Sequence, residues 1–272
     1  MRAGVDLGAS LHKVALAADA GLRDLELVTF PAADRDAAFR GIRDRSATHV
    51  VLAGGRAEEA AAALAPIATS VVGEFDAWAR GASILAARAG TPVDEPYLLV
   101  SLGTGTSILL VTGGRATRIG GTALGGGTLV GLGSLVLGVA RFEELAGLAT
   151  RGSRRDVDLL LGDVYPEIGI PHATASHFGK LRSRRPEDVA NAVVNLVGEN
   201  IALVTANHAL SRGVGSIVYG GSTLAGNPAL AEILTTMAGY FSQRVVVLGE
   251  GAHCGAVGCL ATAFEPLTPP QG

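Results

Sequence analysis

The sequence predicts an α/β protein made of two related lobes, and three observations carry that prediction. Short apolar runs alternate with stretches of helical spacing along most of the chain. The first seven elements run strand, strand, strand, helix, strand, helix, strand, which is the order of a mixed sheet and differs from a simple parallel strand–helix repeat. The three-strand opening then recurs near residue 97, again with a turn of glycine and hydroxyl residues between its first two strands.

Composition agrees with this class. A chain of 272 residues accommodates one large domain or two lobes, each of about 100–150 residues. Hydrophobic residues make up 48% and charged residues 17%, which excludes disorder, and 4% aromatics leaves Ala, Val and Leu to build the core. The 38 glycines fall in clusters without a three-residue period, so they mark tight turns. A net charge of −3 argues against nucleic acid as a partner. The basic run at residues 182–185 precedes Pro186, Glu187 and Asp188 and reads as a solvated loop entering a helix. Cys254 and Cys259, five apart, give neither a disulfide framework nor a C-x-x-C pair, so a reduced, cytoplasmic protein is expected. Asp6 interrupts any signal-peptide core. Residues 119–140 are uncharged for 22 positions, long enough to span a bilayer. Eight of them are glycine, so the stretch is read as a turn and a buried helix, with no membrane partner.

Taken in order, residues 3–8, 14–18 and 25–30 read as three strands. The first two enclose the motif Gly4-x-Asp6-x-Gly8-Ala9-Ser10-x-x-Lys13. A carboxylate at a strand end suits a hydrated divalent cation, glycine admits a phosphate close to the backbone, and Lys13 supplies positive charge. An ordinary β-hairpin would carry the same glycines. A helix over residues 34–45, a strand over 48–53, a helix over 57–64 stopped by Pro66 and a strand over 67–72 follow. Glu74 and Asp76 then stand before a helix over 77–88. On such a rim Glu74 is either a general base or a helix-terminal charge, and Asp76 reads as a cap.

A proline-containing loop at residues 91–96 marks a lobe boundary. Strands over 97–102, 107–111 and 116–119 repeat the opening, with Gly103-Thr104-Gly105 as the turn. A second glycine run, Gly125-Gly126-Gly127, opens a helix whose first amides would form an anion site, as would the first turn. Helices are expected over 129–137, 142–150 and 156–161. An irregular segment over 166–180 carries His172 and His177, with no third ligand at zinc spacing. The longest helix, 187–211, has an apolar stripe that suits core or dimer packing. A strand over 217–219 runs into Gly220-Gly221-Ser222-Thr223, which suits contact with a base or ribose and equally suits simple close packing. A helix to residue 240, a strand over 245–248 and a closing helix over 254–263 complete the chain.

Several of these pieces, in this order, resemble the type II pantothenate kinases of the acetate kinase/sugar kinase/Hsp70/actin superfamily. They are residues 4–13, Glu74-Phe75-Asp76-Ala77, residues 103–107, residues 118–128, Ser176-His177-Phe178-Gly179 and Gly255-Ala256-Val257-Gly258. The likeness covers nearly the whole chain. It implies a duplicated ribonuclease H-like (actin-like ATPase) fold, with two lobes around an ATP cleft. The lobes would be residues 1–94, joined by the closing helix 253–264, and 95–252. It implies phosphorylation of the primary hydroxyl of pantothenate by MgATP, the first step towards coenzyme A.

Carried residue by residue, the resemblance makes Glu74 the catalytic base and places Arg118 at the pantothenate and the transferring phosphate. Asp6, Leu7, Gly8, Ala9, Ser10, Leu11, His12 and Lys13 would line the ATP phosphates, with Asp6 on the Mg²⁺ side, through water. Thr104, Gly126, Gly127, Thr128, Leu129, Val130, Phe142 and Ser222 match nucleotide positions, and Ser107 a substrate hydroxyl. A homodimer through the long helix and regulation by coenzyme A or acyl-CoA belong to the same implication. The family's first hairpin usually reads Gly-Gly-Thr where this chain has Gly8-Ala9-Ser10, and Cys254 stands where an aromatic is common. The rival readings are an amino-sugar or small-polyol kinase on this fold, and a nucleotide-binding regulator without catalysis. Sugar kinases of the superfamily usually carry an aspartate base, so Glu74 favours pantothenate.

Overall fold

The computed structural model describes residues 1–265, and its contacts divide the chain into two units. The first unit comprises Met1–Glu95, Leu110–Arg118 and the described residues from Glu250 onward. Its sheet is built from β1 (Arg2–Leu7), β2 (Leu11–Ala17), β3 (Glu26–Pro31), β4 (His49–Gly54) and β5 (Ala68–Val71) in the order β3-β2-β1-β4-β5. β1 and β2 form an antiparallel hairpin with Asp6 opposite Lys13, and β1 runs parallel to β4 with Leu7 opposite Gly54. Alternation sorts the two faces. Ala3, Val5 and Leu7 join one core cluster with Val50, Leu52, Phe39 and Ile42. That cluster draws on α1 (Arg35–Asp44), whose cap Asp34 accepts from the Ala37 amide, and on α2 (Ala57–Ala63).

The opposite face is covered by α3 (Glu74–Arg88) and by the closing helix, Cys254–Ala263. These two helices approach at glycines. A Cβ on Gly81 would strike the Cys254 carbonyl, one on Gly258 would strike the Ala77 carbonyl, and one on Gly4 would strike Ala256 and Leu260. Small residues allow this backbone-on-backbone contact, and Val51, Ala53, Ala77 and Cys259 fill the apolar space beside it. Helix α3 begins three residues earlier than the pattern predicts. Gly73 is its N-cap, and the acidic pair Glu74 and Asp76 in its first turn complements the helix dipole.

The second unit, Pro96–Leu109 and Ile119–Gly249, repeats the plan. β6 (Tyr97–Leu102), β7 (Thr106–Thr112) and β8 (Arg115–Thr122) are followed by α4 (Gly126–Leu137) and α5 (Phe142–Arg151). A pair of short strands, β9 (Leu159–Leu160) and β10 (Thr174–Ser176), flanks α6 (Leu161–Val164). Helix α7 (Pro186–Leu210), strand β11 (Ser216–Gly220), helix α8 (Pro228–Tyr240), strand β12 (Arg244–Val247) and the closing helix α9 (Cys254–Ala263) complete the chain. The sheet order β12-β11-β6-β7-β8 matches that of the first unit strand for strand. The match extends to a detail of the backbone. Gly54 (φ +105°) lies against the Leu7 backbone, and Gly221 (φ +120°) lies against the Leu102 backbone. Each is the positive-φ residue at the strand beside a hairpin turn, a conformation and a closeness that only glycine tolerates.

Two expectations are corrected here. The helix predicted over 156–161 is replaced by a 3₁₀ turn at Arg154–Asp156, then β9 and α6. The reason is long-range. Asp158 is fully buried and accepts the Phe178 amide at 2.8 Å, which draws the chain into the β9–β10 pair. The uncharged stretch at 119–140 forms the end of β8 and α4, and α4 is not the buried helix expected: only Leu129 and Gly133 are buried in it, while Leu135 and Val136 are exposed. By length and composition it is α7 that could span a bilayer, and 72% of its apolar window is buried inside the protein. The stripe predicted for core or dimer packing is thus used largely by the core of this chain.

Gly81→Ala and Gly258→Ala are each expected to destabilise the protein by about 1–3 kcal/mol through overpacking. Gly239→Ala in α8, where a Cβ meets nothing within 4 Å, is expected to be neutral or slightly stabilising. Thermal or urea unfolding of the three variants checks this.

Candidate active site

In the first unit the β1–β2 turn and the start of α3 gather the charged residues. Asp6 is 2% exposed. Its carboxylate accepts a hydrogen bond from the Trp78 indole and lies near Lys13 and Glu74. Burial pushes the Asp6 carboxyl up to about 6, an effect that Glu74 adds to and that Lys13 and Trp78 oppose. Gly255 makes room for this group, since a Cβ there would lie 2.7 Å from Asp6 Oδ2 and 2.9 Å from Trp78 Nε1. Gly8 leaves space for the lysine in the same way, because a Cβ would come within 3.0 Å of Lys13 Nζ. Glu74 is exposed at the first position of α3, and Arg118 is exposed on β8. Among the described residues neither is held in an ion pair.

Alternation along β2 separates two of the sequence-predicted contacts from the rest. Asp6 and Lys13 share one face, whereas Leu7 and His12 lie on the other. Leu7 belongs to the core cluster, and His12 lines a separate cavity of about 280 Å³ with Ala32, Arg35 and Arg56. Burial and the nearby cations Arg35 and Lys13 lower the His12 pKa, which disfavours the charged ring. Both cysteines of α9 are buried, and burial pushes their thiols far up, so they are chemically quiet.

In the second unit three loops are tied together by hydrogen bonds. The amides of Gly126 and Gly127 donate to the carbonyls of Gly103 (2.8 Å) and Thr104 (3.0 Å). Thr223 Oγ1 donates to the same Gly103 carbonyl at 2.8 Å. This corrects the expectation that the second glycine run presents unpaired amides to an anion. The amides of its last two residues brace the Gly103-Thr104-Gly105 turn instead. A Cβ on Gly125 would lie 2.7 Å from the Thr104 carbonyl oxygen, so the second run is glycine-rich because the first turn lies against it. Ser222 is carried beside Thr223 to this place. Thr128 donates to the Ala123 carbonyl at 3.1 Å. Leu129 is fully buried, and its amide donates to Gly125. Val130 is partly buried on α4, Ser107 is partly buried on β7, and Phe142 stands apart at the first position of α5.

Sequence reasoning passed over Trp78, and named Thr223 and Gly255 only inside motifs, with no role of their own. The first was the most accessible of these. It is the single tryptophan of the chain, one helical turn after Glu74.

The donor set fits a hydrated Mg²⁺. One buried carboxylate whose charge is disfavoured by burial is offered, rather than a cage of protein ligands, and no group of three or more His, Cys, Asp or Glu suited to a metal exists among the described residues. Mg²⁺ commonly binds through one or two carboxylates plus waters and phosphates.

Comparison with known proteins agrees. The architecture is that of the actin-like ATPases and ROK sugar kinases. The activator of the 2-hydroxyisocaproyl-CoA dehydratase from Clostridium difficile, with bound ADPNP, superimposes with a TM-score of 0.63 at 15% identity, over 97% of this chain and 94% of that one. A ROK family glucokinase from Streptomyces griseus, in complex with glucose and AMPPNP, gives 0.62 at 13% identity over 96% and 98%. These define the class by fold, the actin-like ATPase architecture. The Fumble family model matches residues 86–262. A type II pantothenate kinase of Bacillus cereus (strain AH820) is 30% identical over 269 residues, 96% of each chain. The chain belongs to the type II pantothenate kinase family.

In metal-free protein, the raised Asp6 pKa makes the native state bind a proton that the unfolded chain has released. Stability is therefore expected to fall as pH rises from about 4 to about 6, by on the order of 1–3 kcal/mol. Asp6→Asn is expected to remove that fall while abolishing the rise in melting temperature produced by MgATP. Urea unfolding across this pH range, with and without MgATP, reads both effects.

Proposed function

We propose that the protein is an ATP-dependent kinase that phosphorylates the primary hydroxyl of pantothenate to 4'-phosphopantothenate, the first step towards coenzyme A. The observation that carries this is the family match over 96% of both chains. The hydroxyl oxygen attacks the γ-phosphorus, and the bond from that phosphorus to the bridging oxygen breaks, leaving ADP with the bonding pair. Glu74 takes the hydroxyl proton. Its exposed place at the start of α3 supports this role. Arg118 faces the transferring phosphoryl group and offsets charge on its oxygens, which is where catalysis of this reaction is concentrated. Lys13 and the turn Gly8-Ala9-Ser10 receive the ATP phosphates, and Asp6 holds Mg²⁺ through water. Bound Mg²⁺ supplies a Lewis acid at the phosphoryl oxygens.

The turn at Thr104, the Gly126-to-Val130 start of α4, Phe142 and Ser222 serve the nucleotide, and Ser107 serves the substrate. The bracing of Gly103 and Thr104 by Gly126, Gly127 and Thr223 supports a stiff nucleotide platform there. A cytoplasmic homodimer, with coenzyme A or an acyl-CoA as regulator, completes the reading.

An ADP-release assay over pantothenate and a panel of sugars tests the substrate; turnover confined to a sugar would overturn the assignment. Glu74→Gln is expected to retain ATP binding and to lose turnover by on the order of 100-fold or more. Turnover near that of the unaltered protein would remove Glu74 from the role of base.

A further inference from the structure

We infer that Asp76 is a positioning residue that fixes Arg118 relative to Glu74, an inference that rests on the roles proposed above for those two. The β7–β8 connection is a two-residue turn, Gly113-Gly114, with φ of +59° and +72°. Positive φ at both central positions is what a tight primed hairpin turn requires. A hairpin closed this tightly moves as one piece, so holding its end also sets the strand that follows.

Two carboxylates hold that end. Glu95 accepts the Gly114 amide at 3.0 Å, and Asp76 Oδ1 accepts the Ala116 amide at 3.0 Å. Asp76 is therefore not the helix cap that its position suggests, since Gly73 caps α3. Its carboxylate is committed to β8 instead. The start of α3 and the turn also line one cavity of about 750 Å³, with Gly73 and Asp76 from the helix and Gly114 and Arg115 from the turn.

The geometry gives the contact its consequence. Asp76 lies two residues beyond Glu74 on α3, about 3 Å along the axis and about 200° around it, so the two carboxylates leave the helix on different sides and the link between them runs through the helix backbone. Arg118 lies two residues beyond Ala116 on β8, about 7 Å along the strand and on the same face. Base and arginine are thus joined by two helical residues, one hydrogen bond and two strand residues. The ion pair between Arg115 and Asp76, at 4.0 Å with Arg115 83% exposed, is too solvated to do this. The backbone hydrogen bond carries the link. A shift of Arg118 by a fraction of its reach is costly, because a misplacement of about 1 Å can reduce turnover about 100-fold.

The test is a mutant cycle on the full chain, read as kcat and KM with pantothenate and MgATP. Asp76→Ala is expected to lower kcat by about 10- to 100-fold, with both KM values within about threefold. Asp76→Asn, which keeps an acceptor oxygen for the Ala116 amide, is expected to restore kcat to within about threefold of the unaltered protein, and Arg115→Ala to leave it unchanged. In an Arg118→Ala background, Asp76→Ala is expected to add less than about threefold, because the group it positions is gone. Unchanged kcat in Asp76→Ala, equal losses in the Ala and Asn variants, or multiplicative losses in the double variant would each overturn the inference while leaving Arg118 in place. If Arg118→Ala alone turned over normally, the role of Arg118 would fail, and the inference would fall with it. A melting temperature measured for each variant separates loss of fold from loss of alignment.

Discussion

The first unit depends on the contact of bare backbone where α9 crosses α3 and β1. Gly81, Gly258 and Gly4 each face a carbonyl or amide of the opposing element, with no side chain between. Residues near positions 6, 78 and 255 thereby come to one place although the chain separates them widely. The arrangement leaves Asp6 beneath the two helices with the Trp78 indole against it, and Gly255 provides the space both occupy. A single methyl at any of these glycines would push the helices apart and release the packing around Asp6. The constraint is steric first, and it becomes electrostatic because the space it closes holds a carboxylate.

That carboxylate differs in kind from the buried acids of the second unit. Glu199 accepts the Thr174 amide at 2.8 Å, the Thr174 hydroxyl at 2.5 Å and Asn195 at 2.8 Å. Asp158 accepts the Phe178 amide at 2.8 Å and lies 3.4 Å from Arg154. Both are surrounded by donors and staple the 172–181 segment to α7, a structural use that accounts for their burial. Asp6 has the Trp78 donor and the Lys13 charge, which offset burial only in part, since its pKa is carried up to about 6. A buried acid left short of compensation is a common feature of functional sites, in contrast to the donor-saturated acids of the second unit.

Much of this was legible in the sequence because it is local. The strands of both hairpins, the duplication, α7 and α9 follow from short apolar runs and turn residues whose information lies within about ten positions. The matching strand orders of the two sheets bear out the internal repeat. The failures are of the opposite kind. Nothing near residues 156–161 announces that Asp158 will be drawn to the Phe178 amide. Nothing near Gly125 announces that its run will pair with carbonyls more than twenty positions earlier. The glycines of both runs were visible, but their reason was not. They read as cradles for an anion, whereas Gly125 to Gly127 are small because the Gly103 turn lies against them.

Asp76 combines both lessons. Its type and place, an acid in the first turn of a helix, are what a dipole partner would show, and the sequence contains no sign that its carboxylate is engaged elsewhere. What sets it apart is tertiary, because the first unit includes Leu110–Arg118, a segment that the sequence assigns wholly to the second lobe. Within the first unit, the tip of this hairpin is tied by backbone amides to Asp76 of α3 and to Glu95. The strand that carries the residue proposed to meet the phosphoryl group is thus hydrogen-bonded to the helix that carries the proposed base.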